Sequence, residues 1–163
     1  MHASQADLEQ QLATQKNISA QMAASYDGDK QIVALRDAIS ERQKSVGTNS
    51  AMKDVADALK SLDDQVAEID DGKPTEFGMG PINRELARLA SMVESGDARP
   101  AAPLQDAVEQ SCQTLTKRVG EWREVNEKKI SPVNELLKKN SLAALPVAGQ
   151  ITSAPSCGTP KGR

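Results

Sequence analysis

Aromatic residues are nearly absent from this chain of 163 residues, where Tyr26, Phe77 and Trp122 make up the whole set. A β-sandwich or β-barrel normally uses many more aromatic and β-branched side chains than this. The abundant alanine, leucine, glutamine, glutamate, lysine and aspartate residues instead favour helices. The composition therefore predicts an all-α protein.

Several other features that the sequence lacks limit the possible functions of the protein. The single histidine, His2, lies at the N-terminus, so the chain has no Ser/His or Cys/His pair for nucleophilic catalysis. The net charge is −3, and no basic stripe with interleaved aromatic residues suggests a nucleic-acid partner. No apolar run approaches the roughly 20 residues that a membrane span needs. The first residues lack the charged and apolar regions of a signal peptide, so we expect either a cytoplasmic protein or an internal piece of a longer secreted chain.

The clearest pattern is an apolar seam between Met52 and Ile69. Its residues are separated by 3, 4, 3, 4 and 3 positions, an average of 3.5, which keeps them on one side of a helix that faces a partner helix, as in a coiled coil. The seam residues are Met52, Val55, Leu59, Leu62, Val66 and Ile69. This seam has to be buried against other parts of the chain.

The first predicted helix runs from about residue 5 to residue 44. Gly28 is a potential break, but Ile18, Ile32 and Ile39 stay in heptad register across it, which favours one continuous helix. A break at Gly28 is the alternative. Gly47 to Ser50 is predicted to be a short turn that makes the helix carrying the seam an antiparallel neighbour.

The rest of the chain predicts two further helices. A loop is expected over residues 72–81, a third helix from Pro81 to just before Gly96, and a fourth from about Pro103. Ser131-Pro132 either kinks this fourth helix or opens a new short one, with a helix end near residue 140.

These elements predict an elongated antiparallel bundle of four helices of unequal length over residues 1–147. The first and fourth helices are long, with the two shorter ones between them. Three long rods, with helices two and three roughly collinear, is the alternative packing. Residues 148–163 are rich in Gly, Ser, Thr and Pro, and we expect them to form a flexible tail.

Acidic residues occur in pairs, but their positions favour a solvated surface over a catalytic role. Asp63-Asp64, Asp70-Asp71, and Glu121 with Glu124 fall outside the apolar seams. Asp27-Gly28-Asp29 and Asp70-Asp71-Gly72 faintly suggest calcium loops but lack the bidentate glutamate at position twelve. We therefore expect no catalytic residue, metal or cofactor.

Cys112 and Cys157 do not form a disulfide framework or a zinc site by themselves. Cys112 lies at a seam position, where it is expected to be a small buried hydrophobic residue. In an oxidising compartment it would pair with Cys157 and tie the tail to the fourth helix. Trp122 lies on the same seam and is expected in the core.

The first half of helix one suggests an interaction face. Leu8, Leu12, Ile18 and Met22 form an apolar strip near the end of a helix that is longer than its neighbours. Strips of this kind on soluble proteins usually mark contact surfaces. We expect this face to dock onto another protein, either a preceding domain of the same polypeptide or a second copy of the bundle.

Most of the chain, from about Ser4 to Val147, resembles the C-terminal helical region of large bacterial secreted proteins. Those proteins carry sortilin-like, neuraminidase-repeat (BNR) β-propellers and are often labelled glycosyl hydrolases. The resemblance is carried by SQADLEQQLATQKNIS, INRELARLASMVESGDARPAAPLQDAVEQ and VGEWREVNEKKISPVNELLKK.

The resemblance implies a secreted or periplasmic protein. This chain lacks the propeller, so no glycosidase residue can be carried over to it. The first hypothesis for its function is a non-catalytic helical interaction or structural module, similar to the appendage of such a propeller protein. The alternative is a periplasmic sensor bundle that binds a small ligand between its helices.

Overall fold

The computed structural model describes residues 3–96 and 98–158. The elements in chain order are α1 (Gln5–Val46), a 3₁₀ turn (Ser50–Met52), α2 (Lys53–Asp71), β1 (Gly72–Lys73), β2 (Glu76–Phe77), α3 (Met79–Glu94), α4 (Ala102–Glu124), a π-helical turn (Val125–Lys129) and α5 (Ile130–Lys139). The predicted all-α bundle of four helices is confirmed, with α4 and α5 forming the fourth helix. Among the described residues, no helix is long and apolar enough to cross a membrane.

Helix α1 is continuous over 42 residues, or about 63 Å at 1.5 Å per residue. Ser4 and Asp7 form a capping box at its start. Gly28 does not break the helix, and its lack of a side chain leaves room for Met79 at the start of α3. A Cβ atom at this position would lie 3.1 Å from the terminal methyl group of Met79.

The two shorter helices follow one another along α1. Near the start of α1, the Gln11 side chain donates a hydrogen bond to the carbonyl oxygen of Val93, at the end of α3. Further along α1, Arg36 contacts Asp70, at the end of α2. Helix α3 therefore packs on the first half of α1 and α2 on the second half, which corresponds to the predicted alternative of three rods.

A two-residue hairpin joins α2 to α3 where the sequence predicted an irregular loop. Gly72 pairs with Phe77, and Lys73 pairs with Glu76, in antiparallel register. Gly72 has a φ of +80°, and a Cβ atom there would lie 2.3 Å from the backbone nitrogen of Gly78. Only glycine fits this conformation and this close approach.

The fourth helix changes its hydrogen-bonding pattern just before Pro132. The π-helical turn Val125–Lys129 ends where the Ile130 N–H donates to the carbonyl oxygen of Val125. Pro132 has no N–H to offer to the preceding turn, and its ring disfavours regular α-helix there. A local π-turn keeps the rod continuous, so the predicted interruption is accommodated within one helix rather than by a new one.

The core is aliphatic and runs the length of the bundle. The α2 seam is buried at every position from Val55 to Ile69, and Met52 packs against it. Trp122 is buried as predicted, and its indole N–H donates to the Gln31 side-chain oxygen at 2.8 Å.

Residues 141–158 run back along the bundle without forming a helix or strand. Arg42 and Gln31 of α1 donate hydrogen bonds to the carbonyl oxygens of Ala143 and Gln150, both at 2.8 Å. Residues 148–158 are thus hydrogen-bonded to side chains of the helices, and the flexibility of the tail over residues 148–163 stays a prediction. Residues 159–163 of that predicted tail lie outside the described residues.

Candidate functional site

The predicted interaction face on α1 is divided by the fold. Leu8 and Leu12 are 44% and 49% exposed, but Ile18 is buried in the core and Met22 packs against the core. The prediction was therefore wrong in joining Ile18 and Met22 to the exposed leucines.

Polar residues occupy the buried side of the first half of α1, which is why the leucines there are exposed. These buried residues are Gln10, Gln11, Thr14, Gln21 and Ser25. Gln11 donates to the carbonyl oxygens of Val93 and Gly96, so it closes the end of α3. Asn83 of α3 donates to the carbonyl oxygen of Met22 and to the Ser25 hydroxyl group.

A signal for this arrangement is present in the sequence. The register of Ile39, Ile32 and Ile18 continues towards the N-terminus through positions 14 and 11 with the same alternation of three and four residues. Those positions carry Thr14 and Gln11, whose polar side chains interrupt the apolar pattern.

We define the outer face of α1 by its exposed residues between positions 8 and 33. They are Leu8, Glu9, Leu12, Lys16, Ser19, Ala20, Ala23, Tyr26, Asp27, Lys30 and Val33. Tyr26 and Val33 are 56% and 43% exposed, and the Lys30 ammonium group lies 5.5 Å from the centre of the Tyr26 ring. None of the other described helices covers this side of α1.

A second cluster lies where α2, the hairpin and α3 meet the middle of α1. Asp29 and Asp70, from the two stretches with a faint calcium-loop pattern, lie close enough for the Asp29 carboxyl group to raise the pKa of Asp70. Asp70 is 7% exposed, and its Oδ1 atom has no hydrogen-bond donor in the described structure. Burial raises the pKa of Asp70 to about 6, and the neighbouring Asp29 carboxyl group adds to this shift.

Arg36 is the positive charge of this cluster. Its guanidinium group lies 3.3 Å from Asp70, 3.3 Å from Asp71 and 3.5 Å from Asp63. A guanidinium group among these carboxylates already supplies positive charge, which disfavours a bound cation here. Among the described residues, no three histidine, cysteine or acidic side chains are arranged to hold a metal ion.

The hairpin is held by Arg118, a residue to which the sequence analysis assigned no role. The Arg118 side chain is 1% exposed and donates to the carbonyl oxygens of Phe77 and Glu76. It also pairs with the carboxylates of Glu76 at 3.3 Å and Glu121 at 2.8 Å. A hydrogen bond from Lys117 lowers the pKa of Glu76. These contacts fix the hairpin on α4.

The remaining predicted residues lie apart from both clusters. Cys112 is buried on α4 and forms a disulfide bond with Cys157 in the C-terminal segment, a pairing that the sequence left open. Asp64 forms a surface ion pair with Lys60, and Glu124 lies 3.9 Å from Lys128. His2 lies outside the described residues.

Several clefts lie at the surface, between neighbouring elements. One of about 420 Å³ lies between α1 and the C-terminal segment, and exposed Asp27 and Lys30 contribute to its lining, together with Gln31 and residues 150–153. Comparison of the chain with protein-family models, with curated proteins and with solved structures finds no match.

Proposed function

We propose that this chain is a non-catalytic helical module that contacts another protein through the outer face of α1. The observation that carries the proposal is the exposure of Leu8, Leu12, Tyr26 and Val33 along one side of the longest helix. Single exposed apolar residues are common, but several along one helix face that no other described helix covers are typical of a contact surface.

Export of the module is part of the proposal. The disulfide bond between Cys112 and Cys157 supports it, because such bonds persist mainly in oxidising compartments. Export also agrees with the resemblance to the C-terminal region of secreted β-propeller proteins. In that setting the module would be an appendage that joins the protein to a partner.

The acidic residues support a structural role over a glycosidase. Glycoside hydrolysis needs two carboxyl groups on either side of a bound sugar. Asp70 is buried against Arg36, while Glu121 pairs with Arg118, so these carboxyl groups are engaged within the fold. A panel of aryl glycosides should therefore show no turnover. Turnover that is lost on Asp29→Asn or Asp70→Asn would contradict the non-catalytic assignment.

The alternative function, a periplasmic sensor, would need an enclosed pocket between helices with converging polar groups. The cleft between α1 and the C-terminal segment is lined partly by exposed charged side chains, which favours the contact module.

The contact role can be tested with a photo-crosslinking amino acid at Leu12, and at Phe77 as a matched control. Phe77 is 51% exposed but lies on the hairpin, away from the outer face of α1. We expect one discrete cross-linked species from position 12, with either a second copy or one other polypeptide, and none from position 77. Leu8→Glu should remove that species. Equal labelling from both positions would argue against a specific contact face.

A further inference from the structure

We propose that the outer face of α1 pairs with the same face of a second copy in antiparallel orientation, about a two-fold axis near residues 20 and 21. This inference rests on the proposed function and names the partner of the same face. The two chains would use one self-complementary surface, as in most symmetric dimers.

The order of charges along the outer face selects the antiparallel orientation. From the N-terminal end the charges are Glu9, Lys16, Asp27 and Lys30, so their signs alternate as negative, positive, negative, positive. Reversing the partner places Glu9 opposite Lys30 and Lys16 opposite Asp27, and symmetry makes each pair occur twice. A parallel partner in register would place each charge beside its own copy, which repels it.

These four charges are available for such pairing. None of them forms an ion pair within residues 3–96 and 98–158, whereas other surface charges of the bundle do. Lysines on α2, for example, are bonded to Asp57 and Asp64 one helical turn away. The outer face of α1 therefore carries charges that the described part of the chain leaves without a salt bridge.

Side-chain size along the face fits the same pairing. Ser19 and Ala23 lie near the proposed axis, where small side chains let two helices approach within about 8–10 Å. Away from the axis, Leu8 of one copy comes opposite Val33 of the other, so both apolar ends of the face are covered. The contact extends over about 39 Å at 1.5 Å per residue, which is narrow, and we expect weak, reversible association.

The rest of the fold leaves room for this partner. Helices α2 and α3 pack on the side of α1 that carries Arg36 and Gln11, and the C-terminal segment bonds to Gln31. The side chains of the outer face remain exposed, although Asp27 and Lys30 also line the cleft beside residues 150–153, so a second copy would bind next to this segment.

A charge-swap series tests the pairing. Lys16→Glu and Asp27→Lys should each weaken self-association several-fold in concentration-dependent sedimentation at low salt, because each places like charges together. The double variant should restore it, since it recreates both pairs with reversed signs. Lys128→Glu, on the π-helical turn, is the matched control and should leave association unchanged. Failure of the double variant to recover, with helicity and thermal unfolding unchanged, would overturn the pairing.

Cysteine cross-linking tests the orientation, because the two native cysteines are already joined to each other. Ala23→Cys should link to its own copy through a short bismaleimide. Ala34→Cys should not, since the two copies of this residue would be about 40 Å apart in the antiparallel dimer. Linking at both positions would indicate a parallel dimer and overturn the proposal.

Failure of the second copy as partner can be told apart from failure of the proposed function. A strictly monomeric chain at high concentration would overturn self-pairing. If the photo-crosslinker at Leu12 then still captures one other polypeptide and the one at Phe77 does not, the contact role of α1 stands without the dimer.

Discussion

At the scale of single residues, the carboxyl group of Asp70 has surroundings that favour its protonated form. It is buried beside Asp29, its Oδ1 atom has no donor among the described residues, and Arg36 compensates only in part. Protonation of Asp70 removes a negative charge that this buried site compensates only in part. The junction of α2, the hairpin and α3 with α1 should therefore depend on pH.

The sign of this dependence follows from the direction of the shift. The pKa of Asp70 is raised from 3.8 to about 6, so between these values the folded chain holds a proton that the unfolded chain has released. The free energy of unfolding should thus fall as pH rises from about 4 to about 6, by of order 1–2 kcal/mol after allowance for screening.

Asp70→Asn tests this prediction in urea titrations at several pH values. The difference in stability between variant and parent should shift in favour of the variant as pH rises from 4 to 7, because the asparagine amide can donate to Asp29 without titrating. Asp64→Asn is the control, since its exposed carboxylate pairs with Lys60 on the surface of α2. Parallel stability curves for parent and Asp70→Asn would contradict the assignment.

At the scale of elements, the hairpin between α2 and α3 depends on an anchor that is distant in the sequence. Two-residue strands have little stability of their own, and Arg118 supplies hydrogen bonds from α4. Removing Arg118 takes a completely buried hydrogen-bond donor away from Glu76, Glu121 and two carbonyl groups of the hairpin.

We therefore expect Arg118→Ala to lower the free energy of unfolding by about 3 kcal/mol. The hairpin turn at Pro74-Thr75 should also become sensitive to limited proteolysis before the helices unfold. Lys117→Ala removes a partly exposed ion pair with the same Glu76 and should cost much less than Arg118→Ala, because solvent screens that pair. Equal losses in the two variants would show that Arg118 acts as an ordinary surface charge.

Some features of these elements could be predicted from the sequence and others could not. The α2 seam was found because all its residues are apolar and they repeat every three or four positions. The buried side of the first half of α1 was missed because its seam is polar, with Gln11, Thr14 and Gln21 at the same spacing. Asp29 and Asp70 lie 41 positions apart, and no local pattern brings them together.

At the scale of the whole molecule, the disulfide bond connects the end of the described chain to the core. It closes a loop between residues 112 and 157, which includes the second half of α4, α5 and the returning segment. A cross-link of this span should stabilise the fold mainly by restricting the unfolded chain, by about 2–4 kcal/mol.

Reduction of the bond, or Cys112→Ala combined with Cys157→Ser, should lower the thermal midpoint. Hydrogen exchange should become fast in residues 149–158, while amides of α1 and α2 stay protected in the still-folded chain. The variant Cys157→Ser alone controls for the loss of the buried sulfur atom. Unchanged exchange in residues 149–158 would mean that the hydrogen bonds to Gln31 and Asn17 hold this segment without the cross-link.

The return of the C-terminal segment along α1 also determines how the bundle could be attached to a larger protein. Ser156 comes back to Asn17, so a polypeptide that leads into α1 and one that continues from Gly158 would emerge in the same third of the rod. The far end, at the turn after Val46, lies about 44 Å from Asn17 along the axis of α1. Attached in this way, the bundle would be joined to the larger protein near one end only, and its other end would project away from it. It could contact a second protein at a distance without interrupting the fold of the protein that carries it.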